Sequence, residues 1–241
     1  MPANDVFQRV EKKYLLTTDK YQMLIQCIDP YITADHYGPY TICNLYYDTV
    51  HDDLISRSIQ KPKYKEKLRL RSYGVPEHED AVFLEIKKKY RGTVYKRRAS
   101  MTLEAAKGYL EQGIPPRTNE QIMNEIDYFI GFYRPVPKVY LAYDRSAFFG
   151  AGEGHLRITF DQHIRSRTHD LYLEAGDHGI AFWDKEYYLM EIKVSAPAFP
   201  LWLVRILSEL MIYPMSFSKY GNIFNKNLAE HREASQCLQA Y

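Results

Sequence analysis

Cysteine is scarce in this chain of 241 residues, which has only three, at positions 27, 43 and 237. They are odd in number, lie far apart and form no CxxC pair, which argues against a disulfide framework and against a thiolate metal site. No apolar run approaches the roughly 18 residues of a membrane-spanning helix, and no apolar stretch follows a positive segment at the amino terminus. We therefore expect a cytoplasmic chain without a membrane span.

A strong net charge is also lacking. Lys and Arg number 32 and Asp and Glu number 30, so the formal charge is only +2. The overall balance therefore cannot attract an anionic partner, and the placement of the charges must carry the information. Apolar residues make up 46% of the chain and charged residues 26%, which excludes a disordered chain and predicts a globular fold with a substantial core.

The common motifs of nucleotide-binding folds and hydrolases are missing. GxxxxGK[ST] does not occur, and Gly150, Gly152 and Gly154 have the wrong spacing and lie between predicted strands. HExxH and GxSxG are absent as well. A P-loop, a Rossmann turn, a zinc hydrolase and a serine hydrolase therefore have no support.

Alternating runs are abundant, and many contain some of the 22 Tyr and 11 Phe residues. Alternation with period two predicts strands, and apolar residues at helical spacing predict helices between them. No Pro-rich, Gly-rich or Ser-rich linker divides the chain, so we expect one domain over residues 1–241. The strands are predicted over 6–16, 40–48, 63–73, 82–89, 93–101, 138–149, 155–166 and 187–195. The helices are predicted over 21–28, 103–113, 119–133, 200–212 and 219–234, with the segment 17–19, Thr102 and Thr118 as caps.

Charge alternates with these strands. Lys65, Lys67, Arg69 and Arg71 differ by two positions, so they share one face of a strand, while Leu68 and Leu70 share the other. The same parity groups charged and polar side chains in five further strands: Glu85, Lys87 and Lys89; Lys96 and Arg98; Tyr143 and Arg145; Arg157, Thr159 and Asp161; Glu191 and Lys193.

A single strand of this kind is typical of the wet face of an antiparallel sheet. The whole set is harder to explain in that way, because like charges opposite one another destabilise a sheet and carboxylates are few on these faces. Such a face needs an anion. In a closed barrel these side chains would point into one lumen, where phosphate would compensate them.

The few acidic and hydroxyl groups on these faces have two interpretations each. Glu85 is either a salt-bridge partner or a ligand. Glu191 is either a salt-bridge partner of a neighbouring cation or a ligand of Mg²⁺ or Mn²⁺ beside a polyphosphate. Ser218 is a helix N-cap and also a candidate phosphate contact at a helix N-terminus.

Basic strands interleaved with tyrosines could also serve an RNA-binding barrel. Few aromatic side chains share the parity of the basic residues, however, and base stacking needs them there. We expect no nucleic-acid partner.

Nine short motifs follow one another along nearly the whole chain, and with them the chain resembles a known family. The motifs are Arg9-x-Glu11-x-Lys13-Tyr14, Leu45-Tyr46-Tyr47-Asp48-Thr49, Leu68-Arg69-Leu70-Arg71-x-Tyr73-Gly74, Phe83-Leu84-Glu85-Ile86-Lys87, Tyr95-Lys96-x-Arg98, Tyr143-x-Arg145-x-Ala147-Phe148, Leu156-Arg157-Ile158-Thr159-x-Asp161, Met190-Glu191-Ile192-Lys193 and Phe217-Ser218-Lys219-Tyr220. They are similar to those of the catalytic domain of the vacuolar transporter chaperone (VTC) family, polyphosphate polymerases of the triphosphate tunnel metalloenzyme, or CYTH-like, superfamily.

The resemblance implies a fold and a set of site residues. The fold is α+β, a closed antiparallel β-barrel of about eight strands, the triphosphate tunnel, with helices packed outside. The implied catalytic residues are Lys13, Arg69, Arg71, Lys87, Lys193 and Lys219. The implied phosphate-binding or nucleotide-binding residues are Lys96, Arg98, Tyr143, Arg145, Arg157 and Ser218. The implied ligand of Mn²⁺ or Mg²⁺ is Glu191, with Glu11 as a second candidate.

The function implied is a polyphosphate polymerase that transfers the γ-phosphate of ATP, or of another nucleoside triphosphate, to inorganic polyphosphate. Arg9 replaces the first carboxylate of the ExExK start of the superfamily, which favours a polymerase over a triphosphatase. Two alternatives stay open: a tunnel triphosphatase that hydrolyses nucleoside triphosphate or tripolyphosphate, and a non-catalytic binding module docked on a membrane-protein partner.

Overall fold

The computed structural model describes residues 10–91, 93–195 and 198–239. These residues form ten strands and six α-helices in an α+β arrangement. The strands are β1 (Val10–Thr17), β2 (Ile32–Ala34), β3 (Tyr40–Asp48), β4 (Tyr64–Tyr73), β5 (Ala81–Tyr90), β6 (Thr93–Thr102), β7 (Val136–Gly150), β8 (Glu153–Arg167), β9 (Ile180–Ala181) and β10 (Tyr187–Val194). The helices are α1 (Thr18–Ile28), α2 (Asp53–Ile59), α3 (Leu103–Gln112), α4 (Glu120–Tyr133), α5 (Leu201–Glu209) and α6 (Lys219–Gln239).

The chain divides into two compact units, and the long strands β7 and β8 contribute to both. The first unit comprises residues 1–40, 143–164 and 183–217, and the second comprises 41–142, 165–182 and 218–241. In the first unit the strand order is β1-β10-β8-β7, with β2 beside β7. In the second unit the order is β7-β3-β4-β5-β6, with β9 beside β8. The single domain over 1–241 stays a prediction.

The predicted closed barrel is not confirmed. Among residues 10–91, 93–195 and 198–239, the sequence of paired strands starts at β1 and ends at β6, and no ladder joins those two strands. The sheet is therefore open. Strand β1 makes one backbone hydrogen bond outside the named strands: the amide of Met215 donates to the carbonyl of Lys13 at 2.7 Å.

Of the predicted helix caps, the one at Thr102 is confirmed and the one at Thr118 is wrong. Thr102 caps α3 as predicted, since its hydroxyl accepts a hydrogen bond from the amide of Ala105 at 3.2 Å. The cap of α4 is Asn119 rather than Thr118, because the Asn119 side chain accepts from the amide of Ile122 at 3.1 Å. Asparagine and threonine both cap well, so sequence preference could not separate the adjacent positions.

Helix α2 was not predicted. Its first turn is held by Asp48, the last residue of β3, whose carboxylate accepts from the amides of Leu54 and Ile55 at 2.9 and 2.8 Å. The segment is too short for a recognisable helical period, so its stability depends on this tertiary contact.

The turn predicted at Tyr90-Arg91-Gly92 includes Gly92, which lies outside the described residues, as does Arg9 of the first motif. The strands on either side of that turn, β5 and β6, pair antiparallel as the hairpin requires, with Tyr90 opposite Thr93. Among residues 10–91, 93–195 and 198–239, no helix combines the length and apolar character needed to cross a membrane.

The alternation of charged and apolar residues is confirmed. Leu68, Leu70, Leu84 and Ile86 are all buried in the apolar core of the second unit. A separate apolar core fills the first unit, where Ile158 and other β8 side chains pack with β1, β10, α1 and α5. The opposite faces of these strands carry the charged residues, which form the candidate site.

We expect the core face of β4 to determine the stability of the second unit. Replacing the fully buried Leu68 by alanine should lower the free energy of unfolding by about 2–5 kcal/mol, because it removes apolar contacts and leaves a cavity. The matched control is Val50→Ala at an exposed valine of the same unit, which should change it by less than about 0.5 kcal/mol. Urea denaturation measures both, and equal effects would contradict the assignment of Leu68 to the core.

Candidate functional site

The charged face of β4, β5 and β6 is named here the cation face. In its pairing register, cations lie opposite cations: Lys65 pairs with Lys89, and Lys67 pairs with Lys87, which pairs in turn with Lys96. Like charges at paired positions repel each other, so this register is unfavourable unless an anion compensates it. The cation face consists of Lys65, Lys67, Arg69, Arg71, Glu85, Lys87, Lys89, Lys96 and Arg98.

Glu85 is the carboxylate at the centre of the cation face. Its side chain is only 2% exposed, and its oxygens lie 2.6 Å from Arg69 Nη2, 2.6 Å from Arg98 Nη2 and 2.7 Å from Lys96 Nζ. Arg71 Nε lies farther away, at 3.9 Å. The salt-bridge interpretation of Glu85 is therefore confirmed.

The charge of Glu85 is stabilised by these neighbours. Burial raises the pKa of Glu85, but the positive charges of Arg69, Arg71 and Lys96 outweigh burial and hold that pKa well below its usual range. Glu85 therefore stays ionised and fixes the positions of several cations at once. One carboxylate cannot neutralise all of them.

Lys96 titrates at an unusually low pH for a lysine. Burial lowers the pKa of Lys96, the charges of Arg69 and Arg71 lower it further, and Glu85 opposes them only in part, so the pKa falls to about 8. The proton on Lys96 is therefore held weakly in the absence of a further anion.

Tyr46, from the neighbouring strand β3, extends the cation face. Its hydroxyl accepts a hydrogen bond from Arg69 Nη1 at 3.0 Å, and its ring stacks on Tyr220 with centroids 4.6 Å apart. Burial raises the pKa of Tyr46, but the charges of Arg69, Arg71 and Lys67 outweigh it and lower the pKa to about 8. The sequence placed Tyr46 in a motif without giving it a role.

The start of α6 brings Ser218 to the cation face. Lys67 Nζ donates to Ser218 Oγ at 3.4 Å, and the same oxygen accepts from the amide of Gly221 at 3.3 Å. The N-cap interpretation of Ser218 is therefore confirmed, and its phosphate contact stays a prediction. Lys219 is the first residue of α6.

A second group of charged residues lies in the first unit, on β1, β8 and β10. Lys13 pairs with Glu191 across β1 and β10, and Glu11 pairs with Lys193. Glu191 Oε1 lies 3.1 Å from Lys193 Nζ, which is the salt bridge named above as the alternative to a metal ligand. Lys13 Nζ donates to the carbonyl of Phe217 at 3.1 Å.

Two carboxylates in this unit contact each other, and we name Glu11 and Glu191 the carboxylate pair. Burial raises the pKa of Glu11, and the hydrogen bond and negative charge of Glu191 raise it further. Thr159 of β8 pairs with Glu191 of β10. It is 2% exposed, and its hydroxyl has no hydrogen-bond partner in the described chain. Buried hydroxyls rarely lack a partner, so this position has capacity for a ligand.

These three groups fit a hard divalent cation. No cluster of three or more His, Cys, Asp or Glu side chains occurs in the described ranges, so a complete protein cage is not formed there. Mg²⁺ and Mn²⁺ instead accept one or two carboxylates and take their remaining ligands from water and substrate phosphates. Glu191, Glu11 and Thr159 supply oxygen donors of the required kind.

Three other predicted phosphate-binding residues have partners within the first unit. Arg145 donates to both oxygens of the fully buried Asp161, at 2.6 and 2.8 Å, and lies over the ring of the buried Tyr143. Arg157 Nη2 lies 3.8 Å from the carboxylate of Asp35. Both arginines are thus positioned by carboxylates, and their phosphate contacts stay predictions.

The sequence indicated the cations of the candidate site more fully than the carboxylates and hydroxyls that lie among them. Glu85 was recognised as a salt-bridge candidate, but its central position needed the register of three strands. Thr159 shares its strand parity with Arg157, which was the available signal, yet nothing in the sequence shows that its hydroxyl lacks a partner. Asp161 likewise shared that parity without an assigned role.

Comparison with protein families gives a match over most of the chain. Residues 8–226 match the profile of the VTC domain. A search of curated proteins gave no match.

Two solved structures are similar to the chain in fold. A proposed adenylyl cyclase from Hippeastrum, described as having a dominant triphosphatase activity, superposes with a TM-score of 0.56 and 16% identity, over 91% of this chain and 96% of the other. A proposed adenylate cyclase from Bacillus halodurans gives 0.54 and 17%, over 87% and 93%. At such identities the similarity shows the fold alone.

We expect the charge of Glu85 to hold the cation face together. Replacing Glu85 by glutamine should lower the free energy of unfolding by about 3–5 kcal/mol, since several cations lose their buried counter-charge. Tripolyphosphate should restore part of the loss. The control is Glu125→Gln, which removes the more exposed partner of Lys88 and Arg97 and should cost at most about 1 kcal/mol. A Glu85→Gln protein that unfolds like the parent would contradict this role.

The low pKa of Lys96 predicts a pH dependence of anion binding. Lys96 loses its proton as the pH rises through about 8, so tripolyphosphate affinity should fall between pH 7 and pH 9, by about tenfold if the bound anion raises that pKa by two units. The control is Lys96→Arg, which stays protonated over this range and should show a smaller fall. Titration calorimetry at the two pH values measures both, and equal slopes would rule Lys96 out.

Proposed function

The chain belongs to the VTC domain family, and from this premise we propose that it is a metal-dependent polyphosphate polymerase. The reaction proposed is transfer of the γ-phosphate of ATP, or of another nucleoside triphosphate, to the end of an inorganic polyphosphate chain. Inorganic polyphosphate and the nucleotide are the proposed partners, and Mn²⁺ or Mg²⁺ is the proposed cofactor.

The surplus of positive charge on the cation face is the observation that carries the proposal. Eight cations on β4, β5 and β6 share this face with one carboxylate, Glu85, which is already bonded to Arg69, Lys96 and Arg98. A linear polymer of phosphate supplies the missing negative charge in a repeating form that matches successive rows of a strand ladder. Hydrolysis on the cation face would need a carboxylate of that face to orient water, and its one carboxylate, Glu85, is already engaged.

In this proposal some side chains bind the substrate phosphates, and others hold those side chains in position. Arg69, Arg71 and Arg98 bind phosphate oxygens through charge-assisted hydrogen bonds, and Glu85 holds Arg69 and Arg98 in place. Lys67 and Lys87 extend this binding along the face, and Lys13, Lys193 and Lys219 stabilise charge that develops during transfer. A bond forms between the γ-phosphorus and a terminal oxygen of the acceptor, and the bond to the β-phosphate oxygen breaks, so ADP leaves.

The carboxylate pair and Thr159 would hold the divalent cation. Such a cation would supply positive charge that offsets negative charge on the substrate phosphates during transfer. Lys193 holds the Glu191 carboxylate in position through their 3.1 Å ion pair.

A tunnel triphosphatase is the second candidate. The carboxylate pair favours it, because one carboxylate could orient a water molecule while the other binds the cation. The Hippeastrum protein, which shares the fold, is described with that activity.

Incubation with ATP and Mn²⁺ separates the candidates. A polymerase forms ADP and long-chain polyphosphate in step, whereas a triphosphatase forms free phosphate without polymer. Binding of polyphosphate without turnover of ATP, GTP or tripolyphosphate would instead support a non-catalytic module. The control is Arg69→Ala, which should weaken triphosphate binding by about tenfold or more through loss of a charge-assisted contact.

We also expect Glu191→Gln to abolish turnover and to weaken Mn²⁺ binding, with nucleotide affinity largely kept because the cations are intact. Thr159→Val should weaken Mn²⁺ binding while Thr159→Ser retains it, since serine keeps the hydroxyl. The amplitude of the free Mn²⁺ electron paramagnetic resonance signal measures the affinity without relying on activity. Glu191→Gln protein that melts far below the parent but binds Mn²⁺ normally would show that Glu191 is only a salt-bridge partner.

A further inference from the structure

Tyr220 belongs to the last sequence motif but has no part in the proposed reaction. It is the second residue of α6 and directly follows Ser218 and Lys219. Its side chain is only 3% exposed, whereas Ser218 is exposed. Because a large buried side chain in the first turn fixes that turn against its surroundings, the contacts of Tyr220 determine where Ser218 and Lys219 lie.

The ring of Tyr220 packs against the cation face. It stacks on the ring of Tyr46 in β3, with centroids 4.6 Å apart and 24° between the planes. Tyr46 is itself held by Arg69, whose Nη1 donates to its hydroxyl at 3.0 Å. Lys67 Nζ lies 5.6 Å from the centroid of the Tyr220 ring, which is within the range of a cation–π contact. The start of α6 is therefore placed directly beside cations of the face.

The hydroxyl of Tyr220 fixes the same turn from the other end of the side chain. It donates to Asp48 Oδ2 at 3.2 Å. That fully buried carboxylate also accepts from the amides of Leu54 and Ile55 in the first turn of α2. Burial raises the pKa of Tyr220, and the negative charge of Asp48 raises it further, so the hydroxyl keeps its proton. One carboxylate therefore joins the first turns of α2 and α6 to the end of β3.

The first turn of α6 packs closely around Ser218. The Ser218 hydroxyl accepts from Lys67 Nζ at 3.4 Å and from the amide of Gly221 at 3.3 Å. A Cβ on Gly221 would lie only 3.2 Å from that hydroxyl oxygen and 3.8 Å from Ile59 Cγ1 of α2. Glycine at this position therefore leaves room for the Ser218 side chain beside Lys67.

We propose that Tyr220 is a positioning residue that fixes the start of α6, so that Ser218 and Lys219 bind the same phosphate chain as Lys67. The stack on Tyr46 holds the helix close to the sheet, and the hydrogen bond to Asp48 fixes the orientation of its first turn. Tyr220 acts through its neighbours, because its own hydroxyl proton is engaged by Asp48. This role rests on the phosphate binding proposed for the cation face, Ser218 and Lys219.

Protection of lysine amines by tripolyphosphate tests this role without relying on turnover. The full chain is treated with acetic anhydride at pH 7, with and without tripolyphosphate, and acetylation of each lysine is measured by mass spectrometry. In the parent protein tripolyphosphate should protect Lys67 and Lys219 together. Tyr220→Leu removes both the stack and the hydroxyl, so Lys219 should lose its protection while Lys67 keeps it. The affinity for tripolyphosphate should fall about tenfold, because charge-assisted contacts from α6 are lost.

Tyr220→Phe and Tyr109→Phe form a matched pair that keeps the test valid if Tyr220→Leu does not fold. Each removes a hydroxyl that donates to an aspartate, Asp48 in the first case and Asp127 in the second. Tyr109 belongs to the apolar core on the opposite side of the sheet from the cation face. Calorimetry should show tripolyphosphate binding weakened severalfold in Tyr220→Phe and unchanged in Tyr109→Phe. Equal effects in both variants would show that Tyr220 is only structural.

The protection pattern also distinguishes failure of this role from failure of the proposed function. Protection of Lys67 without protection of Lys219 in the parent protein would overturn the role of Tyr220 and leave phosphate binding by the cation face intact. Equal protection of Lys219 in the parent and in Tyr220→Leu would do the same. If tripolyphosphate protects none of Lys67, Lys87 and Lys96 in the parent, phosphate binding by the cation face is itself wrong, and the role of Tyr220 falls with it.

Discussion

Repulsion among the cations of β4, β5 and β6 is the constraint on which the structure of the second unit depends. The pairing register sets lysine opposite lysine in two rows, and only the third row is relieved, by Glu85 between Arg69 and Arg98. Burial of Leu68, Leu84 and their neighbours on the other face holds the strands together against this repulsion. The sheet therefore carries unbalanced positive charge that a bound polyanion would neutralise.

The first unit handles charge differently. Its arginines are matched to carboxylates, Arg145 to Asp161 and Arg157 to Asp35, and Glu191 is matched to Lys193. The polar group that stands out in this unit is the buried hydroxyl of Thr159, which has no hydrogen-bond partner in the described chain. The second unit therefore has a surplus of cations on its sheet, whereas the first unit has a buried hydroxyl without a partner.

Two groups on or beside the cation face make its charge adjustable. Lys96 and Tyr46 both have a pKa of about 8. Burial lowers the pKa of Lys96, and the charges of Arg69 and Arg71 lower it further; the same charges lower the pKa of Tyr46 against the effect of its burial. Loss of either proton reduces the net positive charge of the face by one. The repulsion that Glu85 does not relieve therefore contributes to the shifted pKa values of Lys96 and Tyr46. A bound anion would move both values back towards their usual range.

Most of the strands, and the faces of them that are charged, could be predicted from the sequence, because alternation with period two depends only on the extended backbone. It also placed the caps of α1 and α3, since Thr17 and Thr102 act on amides three residues away. The shared face of the cations on β4, β5 and β6 follows from the same alternation.

The contacts between side chains of different strands could not be predicted from the sequence. Residues distant in sequence determine the central place of Glu85, the contact between Glu11 and Glu191, and the absence of a partner for the Thr159 hydroxyl in the described chain. The open sheet was also beyond the sequence, because periodicity fixes the faces of a strand but says nothing about which strand edges pair.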